Sequence, residues 1–109
     1  MSNVIVIENE TQLNKIISEN ENVIVDFFAE WCGPCKMLSP VLDDVSTEME
    51  NVVVCKVNVD ENSGLASENN IRGIPTVLYY KGGDKVASKS GYLPKNQFIQ
   101  VLRENLKLN

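Results

Sequence analysis

The feature that most restricts the fold is an apolar run followed at once by a helical pattern. Residues 23–29 are apolar except for one carboxylate, Asp26, and predict a central β-strand buried on both faces. Apolar side chains then recur at helical spacing and predict a helix over residues 34–49. Its inner face carries Leu38, Val41, Leu42, Val45 and Met49. The chain is therefore expected to contain a strand–helix unit, and its junction carries the sequence Trp-Cys-Gly-Pro-Cys at residues 31–35.

The two cysteines of that junction lie at the predicted start of the helix. Free N–H groups and a partial positive charge at a helix N-terminus favour an anion, so a Cys32 thiolate is stabilised there. This setting predicts a redox dithiol of Cys32 and Cys35. The alternatives are half of a zinc site and a pair of core cysteines. A structural zinc site usually needs four Cys or His ligands, and a Gly-Pro dipeptide between two cysteines makes a poor core segment.

The composition excludes several kinds of function. The 109-residue chain has no histidine and a net charge of −5. Nucleophile schemes that use histidine are excluded, and proton transfer near neutral pH falls to a carboxylate, a lysine, a thiol or water. The sequence has no cluster of Lys and Arg of the kind that binds nucleic acid. Its apolar runs are also much shorter than the about 20 residues that a membrane-spanning helix needs. We expect a single domain over residues 1–109, without a metal, in the cytoplasm unless a presequence has been removed.

The remaining segments predict four more strands and three more helices. The strands are predicted at residues 4–7, 52–59, 76–81 and 85–90. Asn9 and Gln12 predict a capping box for a first helix that ends near residue 20, Asp60 is the expected cap of a short third helix, and Pro94 is expected to start the last one. The order βαβαβαββα predicts an α/β fold with a parallel core, to which a hairpin at residues 82–84 adds antiparallel strands.

The stretch from Asp26 to Met37, Asp-Phe-Phe-Ala-Glu-Trp-Cys-Gly-Pro-Cys-Lys-Met, resembles the active-site segment of the thioredoxin family. The resemblance covers roughly residues 20–106 and is strongest at 26–41 and 71–78. It implies the thioredoxin fold, a mixed five-stranded sheet in the order 1-3-2-4-5 flanked by four helices. Phe28 departs from it, since many bacterial members carry a second tryptophan there, and Trp31 is the only tryptophan of this chain. Tyr92 and Pro94 also replace smaller or capping residues.

The resemblance and thiol–disulfide exchange together predict a protein-disulfide reductase. Cys32, expected to be the more exposed cysteine, attacks a client disulfide, and Cys35 then resolves the mixed disulfide. Gly33 and Pro34 resemble the dipeptide of reducing family members and are expected to tune the site. The family implies a flavoprotein thioredoxin reductase with NADPH as electron donor and oxidised proteins as clients. We therefore expect a monomer that binds no cofactor itself.

Two charged residues and a third cysteine accompany the dithiol. Asp26 in its apolar strand predicts a raised pKa, and the matching family residue accepts the proton of the resolving cysteine. The alternative is a capping or ion-paired aspartate. Lys56 is expected to approach and tune Asp26, with extension into solvent as the alternative. Cys55, on the opposite face of the strand from Lys56, is expected to be an inert core residue, with a regulatory thiol as the alternative.

The segment Gly-Ile-Pro-Thr at residues 73–76 resembles the family's cis-proline loop, which faces the dithiol. The resemblance implies a cis bond before Pro75, where the alternative is an ordinary turn, and an Ile74 backbone that pairs with an extended client segment. It also implies an apolar rim around Cys32, made of Trp31, Gly33, Pro34, Val59, Gly73, Ile74, Gly91 and Tyr92. For Trp31 and Tyr92 the alternative is that they are scattered surface aromatics.

Two rival functions remain. The first is another redox role on the same fold, as an oxidant or a glutathione-coupled reductase, which the reduction potential would separate. The second is a binding module in a larger assembly that does not use its thiols. A variant with both Cys32→Ser and Cys35→Ser that keeps its function would favour the second.

Overall fold

The computed structural model describes residues 2–109 and contains five strands and four helices. In chain order they are β1 Ile5–Val6, α1 Glu10–Glu19, β2 Asn22–Phe28, α2 Gly33–Glu48, β3 Val53–Asn58, α3 Ser63–Glu68, β4 Thr76–Lys81, β5 Asp84–Ser90 and α4 Lys95–Leu106. The predicted order βαβαβαββα is confirmed. The predicted ends of the five strands and of α2 lie within one residue of the observed ends.

One mixed sheet joins the five strands in the order β1-β3-β2-β4-β5, as the family resemblance implied. β2 lies at its centre, parallel to β3 and antiparallel to β4. The register places Asp26 of β2 between Lys56 of β3 and Val77 of β4. Residues paired in this way project from the same face of the sheet, so Asp26 and Lys56 share a face.

Each face of the sheet is covered by a separate apolar cluster. The cluster on the side of α2 and α4 includes Ile24, Leu42, Tyr79, Phe98 and Leu102, and the cluster on the other side includes Leu13, Val25, Phe27, Cys55 and Leu65. Alternate residues of β2 enter opposite clusters because side chains alternate along a strand. Asp26 follows Ile24 by two residues and therefore faces α2.

The predicted capping box of α1 is half formed, the predicted cap of α3 is not found, and α4 starts directly after Pro94 as expected. The Asn9 side chain accepts a hydrogen bond from the Gln12 amide at 2.8 Å, but the Gln12 side chain accepts from the Glu8 amide and not from that of Asn9. The prediction that Asp60 caps α3 is wrong. Asn62 is the residue that precedes α3. Within residues 2–109, no helix combines the length and apolar character that crossing a membrane requires.

The candidate dithiol site

Cys32 and Cys35 form a disulfide at the N-terminus of α2, with their Cα atoms 5.2 Å apart. Cys32 is the N-cap residue and has extended backbone angles, whereas Gly33 is the first helical residue. Pro34 occupies the first turn, where its missing N–H group costs no helical hydrogen bond. The local sequence therefore places both sulfur atoms at the positive end of the helix.

The Cys32 sulfur acts as the side-chain cap of α2. The backbone amide of Cys35 donates a hydrogen bond to Cys32 Sγ at 3.2 Å. In the reduced protein the same amide and the helix dipole point at the place where a Cys32 thiolate carries its charge. This geometry favours the reactive form of Cys32.

Both cysteines are largely covered in the disulfide form. Cys32 is 5% exposed and Cys35 is 3% exposed, so Cys32 is the more exposed cysteine, as expected, but by a small margin. They pack with the buried Ala29 and against Phe28, Val59 and Ile74. A client therefore has to approach the Cys32 sulfur along the surface formed by these neighbours.

Asp26 is fully buried. Neither of its carboxylate oxygens accepts a hydrogen bond from any residue in the part of the chain that the structure describes. Burial raises the pKa of Asp26 from 3.8 to about 7, and the charge of Lys56 opposes part of this rise. The expected burial and raised pKa are confirmed, and the alternative of a capping or ion-paired aspartate is wrong.

Lys56 pairs with Asp26 in the register of the sheet, and its charge lowers the pKa of Asp26. Over residues 2–109 the two side chains form no salt bridge. The Lys56 ammonium instead donates a hydrogen bond to Ser39 Oγ at 3.1 Å and lies 4.4 Å from the centroid of the Phe28 ring. Lys56 is half-buried, so the alternative of a lysine that simply extends into solvent does not describe it either.

A cavity of about 180 Å³ is lined by both Lys56 and Cys35. The other lining residues are Phe28, Ala29, Glu30, Lys36 and Ser39. The sequence reasoning missed Ser39. Its signal is the spacing, because Ser39 follows Cys35 by four residues and therefore lies on the same helical face.

The loop before β4 faces the disulfide. The Ile74–Pro75 bond is cis, as the resemblance implied. The carbonyl oxygen of Ile74 lies 3.8 Å from Cys32 Sγ, and the amide of Gly91 donates to the Pro75 carbonyl at 2.9 Å. The backbone of Ile74 is therefore placed beside the sulfur that a client would reach.

A groove of about 200 Å³ lies beside this loop. Its lining residues are Trp31, Val59, Ala66, Ile71, Arg72, Gly73 and Ile74. Four of them belong to the predicted rim, whereas Ala66 of α3 and the loop residues Ile71 and Arg72 were missed, because periodicity does not show which helix and loop residues meet. Trp31 is 70% exposed, and its indole N–H donates to the Asp60 carboxylate at 2.9 Å. Asp60 lies two residues before Asn62, the N-cap of α3, and its carboxylate is bonded to Trp31 instead.

The other rim residues lie outside this groove. Gly33 and Pro34 are exposed at the start of α2, and Gly91 is bonded to Pro75. Tyr92 is half-buried and packs against the cluster on the side of α2 and α4. This packing does not fit the alternative of a scattered surface aromatic, and the part of Tyr92 in a docking rim stays a prediction.

Cys55 lies away from the dithiol. It is fully buried in the cluster on the side of α1 and α3, on the opposite face of β3 from Lys56. Burial raises the pKa of its thiol to about 12. A buried thiol that stays protonated is a poor nucleophile, which agrees with the expectation of an inert core residue.

Comparisons with known proteins agree with this geometry. The family model described as Thioredoxin matches residues 3–104. The chain is 40% identical over 107 residues to thioredoxin 1 of Nostoc sp., covering 97% of this chain and 100% of the relative. It is 38% identical over 97 residues to the thioredoxin of Mycoplasmoides gallisepticum, covering 89% and 97%.

Solved structures show the same likeness in three dimensions. A mutant thioredoxin from Halobacterium salinarum has a TM-score of 0.89 and 32% identity, with 100% of this chain and 97% of that chain covered. The oxidised thioredoxin of Plasmodium falciparum has a TM-score of 0.83 and 39% identity, with 93% and 96% covered. Because the family match spans nearly the whole chain and Cys32 and Cys35 form a disulfide at the start of α2, the chain belongs to the thioredoxin family and is a thiol–disulfide oxidoreductase.

Proposed function

We propose that the chain reduces disulfides in client proteins, with Cys32 as the attacking thiolate and Cys35 as the resolving thiol. The observation that carries the assignment is the hydrogen bond from the Cys35 amide to Cys32 Sγ, because it favours the thiolate on Cys32. The Cys32 thiolate attacks one client sulfur, forms a mixed disulfide and releases the other client sulfur as a thiolate. Cys35 then attacks Cys32 Sγ, forms the intramolecular disulfide and releases the second client thiolate. Two electrons pass from the dithiol to the client.

Cys35 has to lose its proton before it attacks, and we assign the proton to Asp26. A carboxylate with a pKa of about 7 is ionised in a useful fraction of molecules near neutral pH and can still hold the proton it accepts. The carboxylate faces α2 and no described residue competes for its oxygens. Histidine, the usual acceptor near neutral pH, is missing from the sequence. Lys56 serves as a tuning charge in this assignment.

Clients are expected to dock beside Cys32 through backbone pairing and apolar contact. The Ile74 carbonyl next to the disulfide is available to an extended client segment that adds to the loop as a short strand. The groove formed by Trp31, Val59 and Ile74 offers room for an apolar client side chain. The approaching client backbone meets little obstruction, because the exposed positions around Cys32 are small or compact: Gly33, Pro34, Gly73 and Gly91. The cis bond before Pro75 sets the course of the loop.

We further propose that an NADPH-dependent flavoprotein thioredoxin reductase re-reduces the Cys32–Cys35 disulfide and that the protein works in the cytoplasm as a single-domain monomer. Relatives that carry the name thioredoxin at about 40% identity support the choice of donor. The rival roles as an oxidant or a glutathione-coupled reductase differ from this one in reduction potential, which equilibration against glutathione measures.

The test is reduction of insulin disulfides with NADPH and a thioredoxin reductase. The wild type is expected to turn over, Cys32→Ser is expected to lose all turnover, and Cys35→Ser is expected to accumulate a mixed disulfide with insulin. Turnover with dithiothreitol but not with the reductase would reject the proposed donor and keep the dithiol chemistry. Absence of turnover with both reductants would reject the reductase function and favour a binding module.

A further inference from the structure

The ammonium group of Lys56 is held by two uncharged partners. It donates to Ser39 Oγ at 3.1 Å and lies 4.4 Å from the centre of the Phe28 ring, a distance typical of a cation–π contact. Ser39 belongs to α2 one helical turn after Cys35, and both line the same cavity. A residue of α2, the helix that carries Cys35, therefore holds this positive charge in place.

Few titratable groups face Asp26. Lys56 approaches it from β3, and Tyr79, which senses its charge, lies on β4. Burial keeps the Tyr79 hydroxyl protonated throughout the neutral range, since its pKa is raised. On the side of α2, Cys35 and Lys36 line the cavity, and Glu30 of the preceding loop lines it as well. Among the described residues, the charge of Lys56 is what lowers the pKa of Asp26 against the rise that burial causes.

We propose that Ser39 is a positioning residue, whose hydroxyl holds the Lys56 ammonium at the cavity beside Cys35 and thereby sets the positive charge that Asp26 experiences. The role rests on the proposed function of Asp26 as the acceptor of the Cys35 proton. Ser39 touches neither Asp26 nor a client disulfide in this role. It acts through Lys56.

The direction of the effect follows from the hydration of the ammonium. Without the Ser39 hydroxyl, the flexible Lys56 side chain keeps only the Phe28 ring as a fixed partner, and water solvates an ammonium more strongly than a buried site does. The group then moves towards solvent and away from Asp26. The retreat weakens the attraction that favours the ionised carboxylate, so the pKa of Asp26 rises. At an effective dielectric constant of about 20, a rise of roughly half a pH unit corresponds to a retreat of a few Å.

The test is a double-mutant cycle read by carboxyl NMR. The titration midpoint of Asp26 is measured in the oxidised wild type, Ser39→Ala, Lys56→Met and the double variant. We expect Ser39→Ala to raise the midpoint by roughly half a pH unit when Lys56 is present and to leave it unchanged in the Lys56→Met background. Ser39→Thr, which keeps the hydroxyl, is expected to titrate like the wild type.

An unchanged midpoint in Ser39→Ala would overturn the proposal. An equally large change in the Lys56→Met background would overturn it as well, because Ser39 would then act independently of the ammonium. Alanine is the best helix former, so Ser39→Ala is expected to fold, and Ser39→Thr provides a second folded reference. The titration uses the oxidised protein without a client. It therefore tests Ser39 even if insulin reduction, which tests the proposed function, fails.

Discussion

Replacement of Asp26 by asparagine is expected to change how the stability of the oxidised protein depends on pH. In the unfolded chain this carboxyl titrates near its ordinary value of 3.8, whereas in the native protein burial raises its pKa to about 7. Between these values the native state holds a proton that the unfolded chain has lost. The native state thus binds more protons, and its stability falls as the pH rises from about 4 to about 7.

The size of the effect follows from the two pKa values. A pKa that differs by one between the folded and unfolded chains corresponds to about 1.36 kcal/mol, so the ionisation of Asp26 removes about 4 kcal/mol of stability by pH 8. Asp26 is fully buried, and the figure needs no reduction for solvent screening. An asparagine side chain at this position would be neutral at every pH. The variant should therefore gain stability relative to the wild type as the pH rises, by an amount near zero at pH 4 and about 4 kcal/mol at pH 8.

Urea unfolding of the two oxidised proteins at several pH values measures this difference directly. Groups that titrate equally in both proteins cancel, which leaves the contribution of Asp26. Asp84→Asn is a matched control for the loss of one carboxylate, because Asp84 is exposed on β5. A difference for Asp26→Asn that stays constant from pH 4 to 8 would refute the reasoning, since the carboxyl would then titrate alike in the folded and unfolded chains.

Three further predictions follow from other contacts. Asp60→Ala removes the hydrogen bond from the exposed Trp31 indole, so it should change the tryptophan fluorescence but alter the unfolding free energy in urea by no more than about 1 kcal/mol. Because Cys55 is buried with a pKa of about 12, reagent counting should find no fast-reacting thiol in the native oxidised protein, two after reduction and three after unfolding of the reduced chain. A fast third thiol in the native reduced protein would contradict this. Leu42→Ala empties a fully buried position on α2 and should cost about 2–5 kcal/mol in urea unfolding, whereas the exposed Met37→Ala should change it by less than about 0.5 kcal/mol.

The fold and the chemical core of the site could be predicted from the sequence because both depend on local patterns. The apolar run of β2 and the helical spacing of α2 placed the junction within one residue. Asp26 could be identified as a candidate site residue because a carboxylate is rare within a buried strand. The strand order and the cis bond before Pro75 came from the family resemblance, since neither periodicity nor composition determines which strands pair.

Side-chain partners outside the periodic positions could not be predicted. Asp60 stands where a helix cap is plausible, yet its carboxylate meets the Trp31 indole from a loop that is distant in sequence. Lys56 pairs with Asp26 in the sheet, as expected, but the hydrogen bond from its ammonium to Ser39, which lies on a different element, was not foreseen. Such choices depend on tertiary packing, in which two polar groups that are 17 or 29 residues apart become neighbours.

The burial of Asp26 links the stability of this protein to its proposed chemistry. The chain has no histidine, so a group that exchanges protons near neutral pH has to be created by shifting another pKa, and desolvation of a carboxyl does so at a cost in stability. If Asp26 causes the fall in stability and also accepts the Cys35 proton, two pH values should coincide near pH 7. They are the pH at which stability stops falling and the pH midpoint of the Cys35 step. Substitutions that move the Lys56 charge should displace both midpoints together. Two midpoints that separate in Lys56→Met would show that the acceptor of the Cys35 proton is a different group.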